Sequence, residues 1–169
     1  MLLLRNASKL AERINALYDE QKKKDPEVFT DSIKVDDRVL RTVVSHLEAI
    51  NLHETDLDVK GVAFEQFMDG FFKGDFGQYF TPRPIIEFAV KMTAPEHDWD
   101  VLDTSCGSGG FLLYALDYIR HQATEYYEKG SADHYRYWHD FAEKHLYGIE
   151  INDEIARVAK MNMIVHDDG

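Results

Sequence analysis

Cysteine is nearly absent: Cys106 is the single one in 169 residues. One thiol cannot form an internal disulfide, which excludes a disulfide-stapled scaffold and fits a reducing, cytoplasmic setting. Long apolar runs are absent too. No stretch approaches the roughly 20 residues a membrane span needs, so no membrane role is expected. The opening "MLLL" meets Arg5 and Asn6 at once, which does not read as a signal peptide. Positive charge is scarce: Lys and Arg number 19 against 31 Asp and Glu, for a net charge of −12. Residues 1–60 are nearly balanced, with 10 basic against 12 acidic, whereas residues 61–169 hold 9 against 19. A chain this acidic does not hold a phosphate backbone by itself. Any nucleic-acid role needs basic surface from elsewhere, and solubility accounts for the charge.

With 44% hydrophobic residues the chain has enough to bury a core of one domain, or of a small domain with an appendage. Leu3, Ala7, Leu10, Ile14 and Leu17 recur at helical spacing, so residues 3–21 are expected to form an amphipathic helix. "KKKDPEVF" breaks it, because Pro26 restricts Asp25. A second helix is expected at about 36–50, with Val39, Leu40, Val43, Val44, Leu47 and Ile50 on one face, and a third near 57–72. Residues 1–75 then form a helical N-terminal domain without a chemical motif, suited to packing or partner binding.

From residue 76 the pattern changes. "GDFGQYFTPRP" interrupts, and "IIEFAVKMT" resumes as a helix that Thr81 can cap, with Pro82 in its first turn. "DVLD" reads as a strand, "GFLLYALDYIRHQATEYYEK" as a long helix and "GSADHYRYWHDFAEK" as an aromatic, partly helical insertion. "HLYGIEI" is a second strand ending in Glu150. "NDEIARVAKMNMIVH" is a further helix, with Asn152 as cap and Asp153 and Glu154 in the first turn. Alternating helices and strands mark the α/β class: the start of a parallel, Rossmann-like sheet over residues 76–169.

Ligands of such sheets bind beyond the carboxyl ends of the strands. There stands "DTSCGSGG": Asp103 closes the first strand, and Gly107, Gly109 and Gly110 let the backbone pass close to a bound molecule. The next helix start offers unpaired N–H groups to a carboxylate or phosphate. A dinucleotide fold shows G-x-G-x-x-G at this place, whereas this chain reads G-S-G-G-F. Glu150, at the second strand's end, can accept both hydroxyls of a ribose. It lies 47 residues after Asp103, beyond the usual ~20; the long helix and the insertion account for the excess. Ahead of both lies "GQYFTPR", where Tyr79 or Phe80 can stack on a flat ring. The Thr81 hydroxyl and neighbouring amides can hold a carboxylate.

Other features read as structural. Cys106 has no histidine partner in the pattern and suits a small packed side chain under the turn. His134, His139 and His145 are spaced five and six apart, which is not the i, i+4 geometry of a zinc site. "HYRYWHDF" is a packed aromatic element or a partner surface, and Asp167–Asp168 a solvated helix end.

"GQYFTPRPIIEFAV", "VLDTSCGSGGFL" and "LYGIEINDEIARVAKMNM", in that order, resemble successive motifs of the adenine-N6 DNA methyltransferases, specifically the modification subunit of Type I restriction-modification systems. The resemblance covers roughly Gly61 to Gly169. It implies a Rossmann-like methyltransferase domain after a helical N-terminal domain, with S-adenosyl-L-methionine as the cofactor. Carried over, the family's first cofactor segment falls on Gln78, Tyr79, Phe80, Thr81, Pro82 and Arg83. Its glycine-turn contacts fall on Ser108, Gly109 and Gly110 with Asp103 at the strand end, and its ribose-binding acid falls on Glu150. The family often has D-P-A-C-G-S-G-G where this chain has D-T-S-C-G-S-G-G; the glycines, Cys106 and Ser108 are kept, so little effect on binding is expected.

The family's catalytic [DNS]-P-P-[FY] motif, which holds the flipped adenine, does not occur here. No catalytic residue is therefore assigned, and the chain is expected to be an N-terminal fragment, inactive alone, that holds only the cofactor-binding part. The implied partners are DNA through the complete complex, together with the specificity and restriction subunits. An open sheet edge after the second strand adds possible self-association. Two alternatives stand beside this reading: a nucleotide-binding oxidoreductase module, and a non-enzymatic assembly domain in which residues 1–75 dock another subunit.

Overall fold

The computed structural model describes residues 7–51, 59–60, 63–64, 66 and 81–166. They fall into two compact units, one within Met1–Thr55 and one within Asp56–Gly169.

The first unit is a helix pair. Helix α1 spans Ala7–Lys24 and ends on three lysines, whose charge suits the negative end of the helix dipole. Helix α2 spans Asp37–Leu47, and the Asp36 carboxylate caps it by accepting from the amides of Arg38 and Val39, each at 2.9 Å. Leu10 and Leu40 are buried, and Tyr18 meets Phe29 edge-on with centroids 5.4 Å apart. The apolar stripes are only partly used. Leu17 on α1 and Val39, Val43 and Leu47 on α2 remain exposed. Of the third expected helix, residues 59, 60, 63, 64 and 66 are described, and they are helical.

The second unit contains α3 (Arg83–Thr93), β1 (Val101–Asp103), α4 (Gly110–Tyr126), α5 (Ala132–His145), β2 (Leu146–Gly148) and α6 (Asp153–Val165). The strands pair in parallel, with Val101 opposite Leu146, Leu102 opposite Tyr147 and Asp103 opposite Gly148. Parallel pairing requires a crossover, and α4 and α5 supply it. The aromatic insertion is helical from Ala132 to His145, capped by Ser131, whose hydroxyl accepts from the His134 amide at 3.1 Å.

The core lies between that crossover and one face of the strands. Leu116, Ile119, Ala123, Trp138 and Phe141 are buried together, with Val101 and Leu146 packed against them. Arg120 lies 4.1 Å from the Trp138 ring centroid and donates to the His166 carbonyl at 2.6 Å, which ties the end of α6 to the crossover. The other strand face is open: Leu102 and Tyr147, opposite each other in register, are both exposed. Two expectations need correction. Pro82, not Thr81, takes the cap position of α3, because the Ile85 and Ile86 amides bond to the Pro82 carbonyl and Pro84 fills the first turn. The second strand ends at Gly148, two residues before Glu150, as the chain there turns toward the first strand's loop.

Candidate functional site

The site is built where the parallel strands end. Asp103 closes β1, and its Oδ1 accepts from the Ser105 amide at 3.0 Å, which starts the turn. Beyond the strands the pairing continues: the Ile149 amide bonds to the Asp103 carbonyl at 2.8 Å and the Cys106 amide to the Ile149 carbonyl at 2.9 Å. Gly107 and Gly109 take φ of +54° and +86°, conformations that cost a residue with a Cβ about 1–2 kcal/mol. Gly109 is also the cap of α4 and offers no side chain to the helix start. The first amides of α4 are thus left uncapped by a side chain, at the positive end of the helix dipole.

Two helices support this turn. From α6, Ala159 lies 3.7 Å from where a Cβ on Gly109 would stand, and Asn162 Nδ2 donates to the Ser108 carbonyl at 2.9 Å. From α3, Ile86 Cδ1 comes within 3.1 Å of a Cβ position on Gly110. By contrast, a Cβ on Gly107 would meet nothing within 4 Å among the described residues, so on their side the turn is open.

Glu150 joins the two strand-end loops. Its Oε2 accepts from the Gly107 amide at 3.1 Å and its Oε1 from the Asn152 amide at 2.9 Å. Asn152 in turn caps α6, its side chain accepting from the Glu154 and Ile155 amides at 2.9 and 3.3 Å. A carboxylate has about four acceptor positions, so Glu150 retains capacity for further donors. Asp103 Oδ2 is enclosed and has no hydrogen-bond partner among the described residues. Cys106 is buried with Leu112 and Ala159. Burial pushes its thiol pKa up, and the carboxylates of Asp103 and Glu150 push it further. That is the opposite of an activated nucleophile.

Of the residues singled out from sequence, Asp103, Ser108, Gly109 and Glu150 are linked in one hydrogen-bonded constellation, and Gly110 opens α4 beside it. Thr81 and Pro82 precede α3 and Arg83 opens it, one turn before the Ile86 that touches the cradle; Gln78, Tyr79 and Phe80 lie outside the described residues. His145 pairs with Asp100 at 2.8 Å instead of joining His134 and His139. Among the described residues no group of three or more His, Cys, Asp or Glu side chains could hold a metal. Sequence reasoning missed Gly148 and Asn162. The second left a signal: with Ile155, Val158 and Ala159 it forms the buried face of α6, on which it is the polar exception.

A family model, N-6 DNA Methylase, matches residues 55–168, which include the whole constellation. The chain belongs to the N-6 DNA methylase family. Among this family's curated relatives, the Type I restriction enzyme EcoEI methylase subunit of Escherichia coli is 28% identical over 130 residues, covering 76% of this chain and 25% of the relative. The EcoKI methylase subunit of the same species is 31% identical over 96 residues, covering 56% and 17%. A crystal structure assigned to a modification subunit of a type I restriction enzyme, from Vibrio vulnificus YJ016, superposes with a TM-score of 0.57. It is 22% identical and covers 82% of this chain and 28% of that one, a likeness of fold. The methylase chain described here thus spans about a quarter or less of the curated relatives' length. No described helix is long and apolar enough to cross a membrane.

Proposed function

We propose that this chain supplies the S-adenosyl-L-methionine-binding part of a DNA adenine-N6 methyltransferase working in a cytoplasmic Type I restriction-modification system. The observation that carries the proposal is the Glu150 carboxylate, fixed between the Gly107 and Asn152 amides at the carboxyl ends of two parallel strands. A bonded, partly occupied carboxylate at that place is prepared to accept a ribose diol. The amides at the start of α4, with Ser108, Gly109 and Gly110, suit the carboxylate of an amino-acid moiety. The open side of Gly107 leaves room for the backbone and ligand to approach. The donor and acceptor set therefore fits a molecule with an amino acid at one end and a nucleoside at the other. Residues 78–83 are proposed to complete the cradle, and Asp103 to shape the strand end.

When bound, the cofactor supplies an electrophilic methyl group on a sulfonium. The residues of this chain hold and orient it; none is assigned to adenine chemistry. DNA is then met through the complete complex, with a specificity subunit and a restriction subunit as partners. In this reading residues 76–169 are a partial methyltransferase domain and residues 1–75 a helical domain. The exposed stripe of Val39, Val43 and Leu47 on α2 favours an additional docking role for that helical part.

Calorimetric titration with S-adenosylhomocysteine, beside NAD and a Glu150→Ala variant, tests the proposal. Saturable binding of the first, none of the second and a marked loss in the variant are expected. Absence of S-adenosylhomocysteine binding, or equal binding of NAD, overturns it.

A further inference from the structure

We propose that Asn162, far from the glycine turn in sequence, is the positioning residue that sets which way the turn's central peptide faces. The inference rests on reading that turn as the cofactor cradle. The Ser108–Gly109 peptide is held at both edges: its carbonyl accepts from Asn162 Nδ2 at 2.9 Å and its N–H donates to the Cys106 carbonyl at 2.8 Å. Glycines with positive φ stand on either side of Ser108. A peptide next to glycine reverses with little steric penalty, so its orientation rests on these two hydrogen bonds, and the Asn162 amide supplies the one that comes from outside the turn. A carbonyl can only accept, so it is the NH2 end that faces Ser108.

The surroundings of Asn162 show that the bond has a purpose other than packing. The residue is 5% exposed, its Oδ1 is enclosed without a partner among the described residues, and its neighbours on the buried face are Ile155, Val158 and Ala159. A half-satisfied amide among aliphatic side chains is a poorer packing choice than a leucine. Its Nδ2 draws the Ser108 carbonyl oxygen toward α6. With that oxygen bonded to α6, the Ser108 carbonyl does not face the carboxylate of the bound amino-acid end. With it reversed, a partial negative charge would oppose that carboxylate.

The test uses Asn162→Leu, which keeps bulk and removes the donor, with Asn162→Ala as the second variant should leucine fail to fold. Amide hydrogen exchange at Gly109 reads the pin without any ligand, and the Ile149 amide, bonded to Asp103, serves as the internal reference. Gly109 exchange is expected to rise by about five- to tenfold, the size of one net hydrogen bond, with Ile149 unchanged. Affinity for S-adenosylhomocysteine is expected to fall by a similar factor of roughly five to ten. Affinity for 5′-methylthioadenosine, which lacks the carboxylate, stays the same. Unchanged Gly109 exchange, or equal weakening of both ligands, overturns the inference. Should neither ligand bind the wild-type chain, the proposed function falls, and Gly109 exchange alone decides whether Asn162 pins the peptide.

Discussion

Gly148 backs directly onto Leu112: a Cβ at that glycine would stand 2.8 Å from the leucine Cδ1, inside non-bonded contact, and 3.0 Å from Cys106 Sγ. The end of β2 thus closes against both the glycine turn and the first turn of α4, and a side chain there would force Leu112 and Cys106 to shift. Gly148→Ala is expected to destabilise the second unit by about 1–3 kcal/mol, the usual range for overpacking. Denaturant unfolding with a matched wild-type control measures this, and an unchanged midpoint refutes it.

Gly107 makes the opposite case. A methyl group there meets none of the described residues, so Gly107→Ala is expected to lose only about 1–2 kcal/mol, from its positive φ. If the open side is where the cofactor passes, S-adenosylhomocysteine affinity falls by much more than that stability loss implies. Binding and unfolding measured on the same preparation separate the two effects. Intact affinity would remove Gly107 from the cradle.

Cys106 gives a pH dependence. Its thiol pKa in the fold is raised above the ordinary 9.0 by burial and by Asp103 and Glu150. The unfolded chain therefore releases this proton first as pH rises. The thiol's contribution is fully present below about pH 9 and is lost as pH climbs through the folded value. Alkylation of the native chain should stay slow through neutral pH and lag the denatured chain. Fast labelling at pH 7 would contradict the assignment of Cys106 as packing.

Asn152→Ala removes the cap of α6 beside Glu150 and is expected to lose roughly 1 kcal/mol. Asn152→Asp keeps an acceptor for the Glu154 and Ile155 amides and is expected to lose less than the alanine variant. Denaturant unfolding of both variants measures this, and equal losses would count against the cap.

Much of the fold was legible because its signals are local. The glycine turn, the Asn152 cap, the strand at 101–103 and the helices around it rest on propensities within a few residues, and each is found. The parallel order followed from helices set between strands. The Thr81 cap failed because two prolines follow it, and the chain enters α3 one residue later, on the Pro82 carbonyl. Gly148 and Asn162 escaped for a different reason. Their roles depend on Leu112 and Ser108, 36 and 54 residues away, and no nearby residue announces such an approach. Glu150 was expected at the strand end and stands two residues beyond it, and its inward bonds to Gly107 and Asn152 follow only from the fold.

Those two bonds give Glu150 a mechanical character. One carboxylate grips the loop after β1 with one oxygen and the loop after β2 with the other, so the two loops share a single rivet. A displacement of either is transmitted to its neighbour without passing through the sheet. A substitution that moves the loop after one strand therefore moves the loop after the other as well.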